Sequence, residues 1–159
     1  MKIAVFPGSF DPYTLAHHDL VERALPMFDK IYVAIGVNSS KVGLMDVEAK
    51  KESIKELYAS NPKIEVTTYK GLTVDYCKEV NAQVILRGLR NTTDLDYENI
   101  IAQNNLLLNP NVESYFLVSR SGLAHISSTI VRDIWRNNGD IKPLVPTQIL
   151  KHIEKLDRK

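Results

Sequence analysis

The pattern FPGSFDPYTLAHH, residues 6–18, is the local feature on which the fold prediction rests. Before it, residues 2–6 (KIAVF) form a short apolar run, typical of a strand that is buried on both faces of a parallel sheet. After it, Leu20, Ala24 and Phe28 recur at the spacing of one helical face. The pattern therefore predicts a strand, a loop and a helix in succession.

Two proline-containing pairs shape the predicted loop. Pro7-Gly8 is expected to end the strand and Asp11-Pro12 to form a second turn, because proline fixes its own φ and keeps its predecessor out of the helical region. Thr14 is a candidate helix cap, which puts His17 in the first turn, where free backbone N–H groups favour an anion. Open α/β sheets bind ligands at such a loop, where the carboxyl end of a parallel strand leads into a helix.

Length and composition narrow the class of protein. The chain of 159 residues suits one domain spanning 1–159, and its 44% of hydrophobic and 25% of charged residues are ordinary for a globular protein. A net charge of +1 provides no field for nucleic acid or an acidic membrane, and no apolar run approaches the length of a membrane span. Cys77 is the only cysteine and shares an apolar stripe with Val74 and Val80, which predicts a buried thiol. We therefore expect a cytoplasmic protein with neither nucleic-acid nor membrane partners.

Strands and helices alternate along the rest of the chain. Further strands are predicted at 31–37, 64–68, 84–86 and 114–118, with 64–68 near a sheet edge because its apolar residues alternate. Asp46 and Thr73 are predicted to cap helices between these strands, with Lys50 on an outward face of the first, and Thr147 is predicted to cap a last helix. Such alternation implies right-handed crossovers. The predicted fold is a doubly wound α/β fold, a five-stranded parallel sheet with helices on both faces.

Polar residues cluster where these strands end. They are Ser9 and His17 after the first strand, Lys41 after the second, Thr73 after the third, Arg87 and Arg90 after the fourth, and Ser127, Ser128 and Thr129 after the fifth. The carboxyl ends of parallel strands meet at one edge, so three basic side chains, a histidine and two helix N-termini converge there and predict a polyphosphate site. Neither G-x-G-x-x-G nor G-x-x-x-x-G-K-[ST] occurs, which speaks against dinucleotide and P-loop sites.

Two of these segments resemble the signatures of the T/H-x-G-H nucleotidylyltransferases. Residues 6–17 resemble the first signature, and 126–129 (ISST) followed by Arg132 resembles the second. The features that narrow the resemblance to the bacterial type of phosphopantetheine adenylyltransferase are Lys41, the run 87–90 (RGLR), Asp94 and Tyr97-Glu98. The resemblance covers the whole chain. It implies transfer of AMP from ATP to 4'-phosphopantetheine, which yields dephospho-coenzyme A and pyrophosphate in the penultimate step of coenzyme A synthesis.

The same resemblance implies roles for individual residues. His17 would stabilise the transition state, Lys41 would bridge the α-phosphate and the acceptor phosphate, and Arg90 would contact the ATP phosphates. The residues implied for ATP binding are Ser9, Phe10, His17, Gly88, Leu89, Arg90, Glu98, Leu123, Ala124, His125, Ile126, Ser127, Ser128 and Thr129. Those implied for phosphopantetheine are Ser9, Lys41, Thr73 and Arg87.

The chemistry of the acceptor shapes the expected mechanism. A phosphate monoester has a second pKa of about 6, so it is mostly a dianion at neutral pH and needs no general base. We expect direct in-line attack, with His17 as a neutral donor because the helix end disfavours its cation. The sequence shows no fixed metal site, and Mg²⁺ is expected to arrive with ATP. The resemblance also implies a homohexamer and inhibition by coenzyme A, with Gln103, Asn104 and Asn105 as candidates for contact with a neighbouring subunit.

Simpler interpretations of several residues stay open. Arg87 and Arg90 could form ion pairs with Asp94 or Glu98 in place of phosphate contacts. Ser127-Ser128 could simply cap a helix, and Asp11 could simply be a turn residue. His18 faces elsewhere on its helix than His17. Ala16 stands where the family has glycine, and we expect its methyl group to alter ATP affinity without abolishing activity. Two other functions also remain open: a related nucleotidylyltransferase with a different phosphate acceptor, and an ATP-binding regulatory module without turnover.

Overall fold

The computed structural model describes residues 1–40 and 42–157, so the predicted roles of Lys41 lie outside the described residues. The strands are β1 (Ile3–Gly8), β2 (Lys30–Gly36), β3 (Ile64–Tyr69), β4 (Val84–Leu89) and β5 (Glu113–Val118). The helices are α1 (Leu15–Ala24), α2 (Val47–Leu57), α3 (Thr73–Glu79), α4 (Thr92–Leu108), α5 (Ser128–Arg136) and α6 (Thr147–Ile153). A short 3-10 turn, Leu25–Met27, follows α1 and contains the helix-ending Pro26.

The sheet is parallel throughout and has the strand order β3-β2-β1-β4-β5. Side chains of β1 alternate between its two faces. Ala4 and Phe6 join a core with α1, α2, α5 and α6, whereas Ile3 and Val5 join a second core with α3. The predicted doubly wound α/β fold is confirmed, and β3 lies at an edge as its alternating pattern indicates.

β1 continues through Pro7-Gly8, so the expectation that this pair ends the strand is wrong. Pro7 pairs with Ala34 of β2, whereas the paired register of β1 with β4 stops at Val5 and Ile85. The carbonyl of Pro7 faces β4, where it accepts from Arg87 Nη1 at 2.7 Å. The N–H that proline lacks would point the same way, because both groups of a strand residue share one side. Proline therefore ends only the pairing with β4 and leaves a crevice between the two strands.

Some predicted helix starts are confirmed and others are wrong. Thr14 and Asp46 cap α1 and α2 through their side chains, as predicted. Thr73 and Thr147 are instead the first residues of their helices, which begin after Leu72 and Pro146 without a side-chain cap. The Thr73 hydroxyl is bonded to the Tyr69 hydroxyl at 2.9 Å. Residue type located these four helix starts but could not show which side chains would accept a hydrogen bond from the first turn.

Two side chains test the predicted pattern of burial. Cys77 is fully buried, as predicted, and burial raises the pKa of its thiol to about 12. Lys50 is also buried, which contradicts its predicted outward position, and its ammonium lies 3.5 Å from Asp11 Oδ1. The helical pattern of α2 does not reveal this carboxylate, which lies on another part of the chain. Within residues 1–40 and 42–157, no helix combines the length and apolar character needed to cross a membrane.

Candidate functional site

Three cavities open at the carboxyl ends of the strands, and Ser9 lines all of them. The α4 cavity, of about 540 Å³, lies between the ends of β1 and β2 and helix α4. The α5 cavity, of about 290 Å³, lies in the crevice between β1 and β4 beside α1 and α5. The α2 cavity, of about 560 Å³, lies between the segment after β2 and helix α2. Pro7, Gly8 and Arg87 line both the α4 and the α5 cavities, so these two adjoin.

His17 lines the α5 cavity in one defined tautomer. The Thr14 side chain accepts from the His17 backbone N–H at 3.3 Å, and His17 Nδ1 accepts from the Thr14 backbone N–H at 3.0 Å. This reciprocal capping box satisfies two N–H groups at the start of α1. Because Nδ1 is an acceptor here, the proton of the neutral ring is on Nε2. His17 therefore presents one N–H donor through the ring atom opposite its cap.

The surroundings of His17 keep the ring neutral. The rings of Phe10 and Tyr13 pack against it with centroids 5.1 Å away, and that of Phe6 at 6.0 Å. Burial lowers the pKa of His17 to about 3, with smaller contributions from the charges of Arg87 and Arg90. The neutral donor expected from the sequence is present, although burial is its main cause.

The two predicted phosphate-binding arginines are both ion-paired. Arg87, in β4, donates from Nε to Glu98 Oε2 at 2.9 Å and from Nη2 to Glu98 Oε1 at 2.5 Å. Arg90 donates from Nε and Nη2 to Asp94 at 3.0 and 3.1 Å, and this hydrogen bonding holds the pKa of the Asp94 carboxyl below its usual value. The ion-pair interpretation thus holds for both arginines in this structure. Arg87 nevertheless lines both the α4 and the α5 cavities, at the place where they adjoin.

The start of α5 uses the predicted serines in its own structure. Ser127 is the N-cap and accepts from the Ile130 backbone N–H at 3.3 Å, and Ser128 Oγ donates to the Pro12 carbonyl at 2.8 Å. The cap interpretation therefore holds for Ser127. Thr129 Oγ1 accepts from Arg132 Nη2 at 3.2 Å. Any anion at this helix end would meet chiefly backbone N–H groups of the first turn, because these have no acceptor within the helix.

The other predicted ATP residues divide into those that line the α5 cavity and those that do not. Phe10, Gly88, Glu98 and Ile126 line it with Ser9, His17, Arg90, Ser127 and Ser128. Leu89, Leu123, Ala124, His125 and Thr129 are not among its lining residues. A Cβ at Gly88 would come within 2.6 Å of Leu20 Cδ1, so a larger residue there would require the Leu20 side chain to shift. Ala16, which stands where the motif of the resembled family has glycine, lines the same cavity.

The α4 cavity contains residues that the sequence analysis missed. Ala102 and Asn105 line it from α4 beside Glu98, which was predicted for ATP, and Asn38 and Ser39 line it from the segment after β2. The α4 residues follow helical spacing (i, i+4, i+7), which could have identified them as one face. Asn105 was instead assigned to a contact between subunits. Thr73 and Arg87, both predicted for the acceptor, do line this cavity.

Acidic and metal-ligating side chains are dispersed around the site. Among the described residues, no group of three or more His, Cys, Asp and Glu side chains could hold a metal ion. Asp94 and Glu98 are instead bonded to Arg90 and Arg87.

Comparisons with known proteins cover nearly the whole chain. The sequence model of the family described as cytidylyltransferase-like matches residues 5–134. A phosphopantetheine adenylyltransferase of Christiangramia forsetii is 52% identical over 151 residues, which cover 95% of this chain and 99% of that protein. One from Flavobacterium psychrophilum is 46% identical, with 94% and 98% covered, and one from Levilactobacillus brevis is 43% identical, with 95% and 94% covered.

Proposed function

This chain belongs to the cytidylyltransferase-like family and, within it, to the phosphopantetheine adenylyltransferases, and from this membership we propose a mechanism of direct phosphate attack. The enzyme transfers the adenylyl group of ATP to 4'-phosphopantetheine and releases pyrophosphate. The observation that carries the proposed mechanism is the meeting of the α4 and α5 cavities at Ser9 and Arg87, beside the neutral His17. Two phosphate-bearing substrates, one in each cavity, would meet where the cavities adjoin.

The attack needs no proton-abstracting side chain. The acceptor phosphate is already mostly dianionic above its second pKa of about 6. Catalysis then consists of bringing two polyanions into line and stabilising charge at the α-phosphate and on departing pyrophosphate. Orientation can supply roughly 7–11 kcal/mol, and each preorganised donor roughly 3–4 kcal/mol. His17 is the donor that we assign to the α-phosphate, because its Nε2 carries the proton and its Nδ1 is held by Thr14.

Arg87 suits the acceptor phosphate even while it is paired with Glu98. A guanidinium has five N–H groups, and Glu98 and the Pro7 carbonyl accept from three of them. The remaining two can donate to a phosphate while the carboxylate fixes the plane of the group. We assign Arg90 to the ATP phosphates, which would have to replace or share its pairing with the partly exposed Asp94. Lys41 is assigned to both phosphates on family resemblance alone.

The nucleotide is assigned to the α5 cavity. Ser9, Phe10 and His17 lie on one side of that cavity, Gly88 and Glu98 on another, and Ile126, Ser127 and Ser128 on the side of α5. Leu89, Leu123, Ala124, His125 and Thr129 stay assigned to ATP by resemblance. Mg²⁺ is expected as part of the MgATP substrate, because it prefers phosphates and retained waters to an all-protein site. Thr73 and Ser9 are assigned to phosphopantetheine with Arg87 and Lys41.

A homohexamer is our proposal for the assembly. Large apolar side chains on α4 and β5 are exposed: Tyr97, Ile100, Leu107, Leu108, Tyr115 and Val118. Large apolar side chains exposed in this number favour further subunits that cover them. Coenzyme A, which joins both substrate halves, would occupy the same two cavities as a feedback inhibitor. A single domain over 1–159 and a cytoplasmic location also remain predictions.

The test is a pyrophosphate-release assay with purified protein, MgATP and phosphopantetheine. We expect pyrophosphate and dephospho-coenzyme A in equal amounts. Other phosphate monoesters serve as the matched control, since a related enzyme with a different acceptor would release pyrophosphate with one of them instead. ATP binding without pyrophosphate from any acceptor would identify a regulatory module and contradict the proposal.

A further inference from the structure

The carboxylate of Asp11 is buried and bonded to a distant part of the chain. Its Oδ2 accepts from the Leu44 backbone N–H at 2.8 Å, and its Oδ1 accepts from the Met45 backbone N–H at 3.0 Å. Two backbone N–H groups on one carboxylate make a specific, charge-assisted anchor. We call residues 43–45 the anchored segment; they lie shortly before helix α2.

Two cations complete the surroundings of this carboxylate. Lys50 Nζ lies 3.5 Å from Asp11 Oδ1, and Arg132 Nη1 lies 3.9 Å from Oδ2. The side chains of Asp11 and Lys50 are each only 10% exposed. A buried charge is tolerated when it is paired and hydrogen-bonded, as this one is. The carboxylate is therefore held from α2, from α5 and from the anchored segment at once.

Gly43 shows how closely the anchored segment approaches. A Cβ at this position would come within 2.8 Å of Asp11 Oδ2 and 2.9 Å of its Cγ and Oδ1. The carboxylate cannot easily move aside, because four groups fix it. Gly43 is thus required by close approach to Asp11.

The turn Asp11-Pro12 is also bonded to helix α5, which lines the cavity assigned to the nucleotide. The Asp11 carbonyl accepts from Arg132 Nη1 at 2.6 Å, and the Pro12 carbonyl accepts from Ser128 Oγ, both from α5. Residues 37–39, which precede the anchored segment, line the α4 cavity. The hydrogen bonds to α5 are therefore made by the main chain of the turn, whereas the backbone N–H groups of the segment next to the α4 cavity are bound by the Asp11 carboxylate.

We propose that Asp11 is a positioning residue for the transfer reaction. Its carboxylate fixes the segment next to the α4 cavity, which is assigned to the acceptor, relative to helix α5, which lines the cavity assigned to the nucleotide. This inference rests on the proposed assignment of the α4 cavity to phosphopantetheine. It predicts that loss of the carboxylate impairs use of the acceptor much more than use of ATP. The hydrogen bonds of the turn to α5 are made through main-chain carbonyls and survive a change of side chain, so that only the 3.9 Å charge contact with Arg132 is weakened.

The test substitutes Asp11→Asn, which keeps the shape but places an NH₂ group against a backbone N–H and two cations. We expect KM for phosphopantetheine to rise about tenfold or more, since a buried charged partner is lost, whereas KM for ATP changes less than about twofold. Gly43→Ala leaves Asp11 unchanged but displaces the contact between its carboxylate and the anchored segment. If Asp11→Asn does not fold, Gly43→Ala should show the same larger rise in KM for phosphopantetheine than in KM for ATP. In the double variant the two effects should not add, because both break one contact.

Asp46→Ala is the matched control for stability. Asp46 caps α2 through the Ala49 N–H at 2.8 Å, next to the anchored segment, and lacks the buried cations of Asp11. Its loss should lower stability by about the value of a helix cap without separating the two KM values. The same split in Asp46→Ala would mean that any loosening here has this effect and would overturn the proposal.

Hydrogen exchange separates failure of this proposal from failure of the proposed function. The backbone N–H groups of Leu44 and Met45 should exchange slowly in the natural protein and much faster in Asp11→Asn, whatever the acceptor is. Loss of protection with an unchanged ratio of the two KM values would overturn the positioning role. Retained protection in Asp11→Asn would overturn the anchor itself. An enzyme that ignores phosphopantetheine altogether would contradict the proposed function, and the exchange result would still decide on the anchor.

Discussion

His17 can be divided experimentally into its two hydrogen-bonding functions. Its Nδ1 accepts from the Thr14 N–H within the capping box, and its Nε2 carries the donor assigned to the α-phosphate. In His17→Asn, the side-chain oxygen can occupy the place of Nδ1 and keep the cap while the distal donor is lost. In His17→Gln, the amide NH₂ can occupy the place of Nε2 while the cap is weakened.

The two variants should therefore lose different properties. Removing one preorganised donor from developing charge costs about 10²- to 10³-fold in kcat, so His17→Asn should lose that much with nearly unchanged stability. A glutamine at this position can place its amide at the site of Nε2 or use its oxygen in the capping box, but not both at once, so His17→Gln should keep part of kcat and lose about 1 kcal/mol or less of folding stability. His17→Ala loses both groups and should combine a reduction of turnover by about a hundredfold or more with the loss of stability. ATP binding should be largely retained in all three.

The measurements are kcat from pyrophosphate release, ATP affinity from calorimetry and stability from urea unfolding. A natural-like kcat in His17→Asn would refute the assignment of the Nε2 donor to the transition state. An equal loss of kcat in the Asn and Gln variants, with equal stability, would show that the cap and the donor are not separable as the geometry indicates.

Three further predictions follow from other parts of the site. Ala16→Gly removes a methyl group from the α5 cavity and should change KM for ATP. A large gain in kcat would mean that the natural protein is impaired or prefers another nucleotide as the donor of the transferred group. The pKa of His17 is about 3 in the folded protein and near its ordinary 6.5 when unfolded, so unfolding takes up a proton between these values. The free energy of unfolding should therefore decrease as the pH is lowered through this window, by at most about 1.4 kcal/mol per pH unit. In His17→Gln, urea unfolding at pH 7 and at pH 5 should lack the contribution of this histidine. Arg87→Lys loses the two-point contact with Glu98 and should raise KM for phosphopantetheine more than KM for ATP in steady-state kinetics.

Much of the fold could be predicted from short-range patterns. The apolar run of β1, the Thr14 cap and the helical spacing after it identify a strand–loop–helix unit without knowledge of any neighbour. The burial of Cys77 follows in the same way from the stripe that it shares with Val74. Pro7 could not be placed correctly, because its tolerance in β1 depends on which of two neighbouring strands its missing N–H faces.

The candidate site was predicted in residue type more than in arrangement. The motifs identify Ser9, His17 and Arg87, and the structure brings these three to adjoining cavities. The sequence left open whether Arg87 pairs with Glu98 or Asp94, and it did not show that Asn105 lines the α4 cavity. A helix exposes several faces of equal spacing, and only its partners decide which face the site uses.

The sequence by itself determined the order of strands and helices and the ends at which chemistry is concentrated, because side-chain periodicity and turn chemistry are properties of neighbouring residues. Only the tertiary structure decided the burial that keeps His17 neutral, the burial of Lys50 and the partners of Asp11. Each of these depends on desolvation and on groups far apart in the chain, such as Asp11 and Met45, which are 34 residues apart. Charge and burial at a site are set by the sum of such long-range contacts, and no local pattern contains that sum.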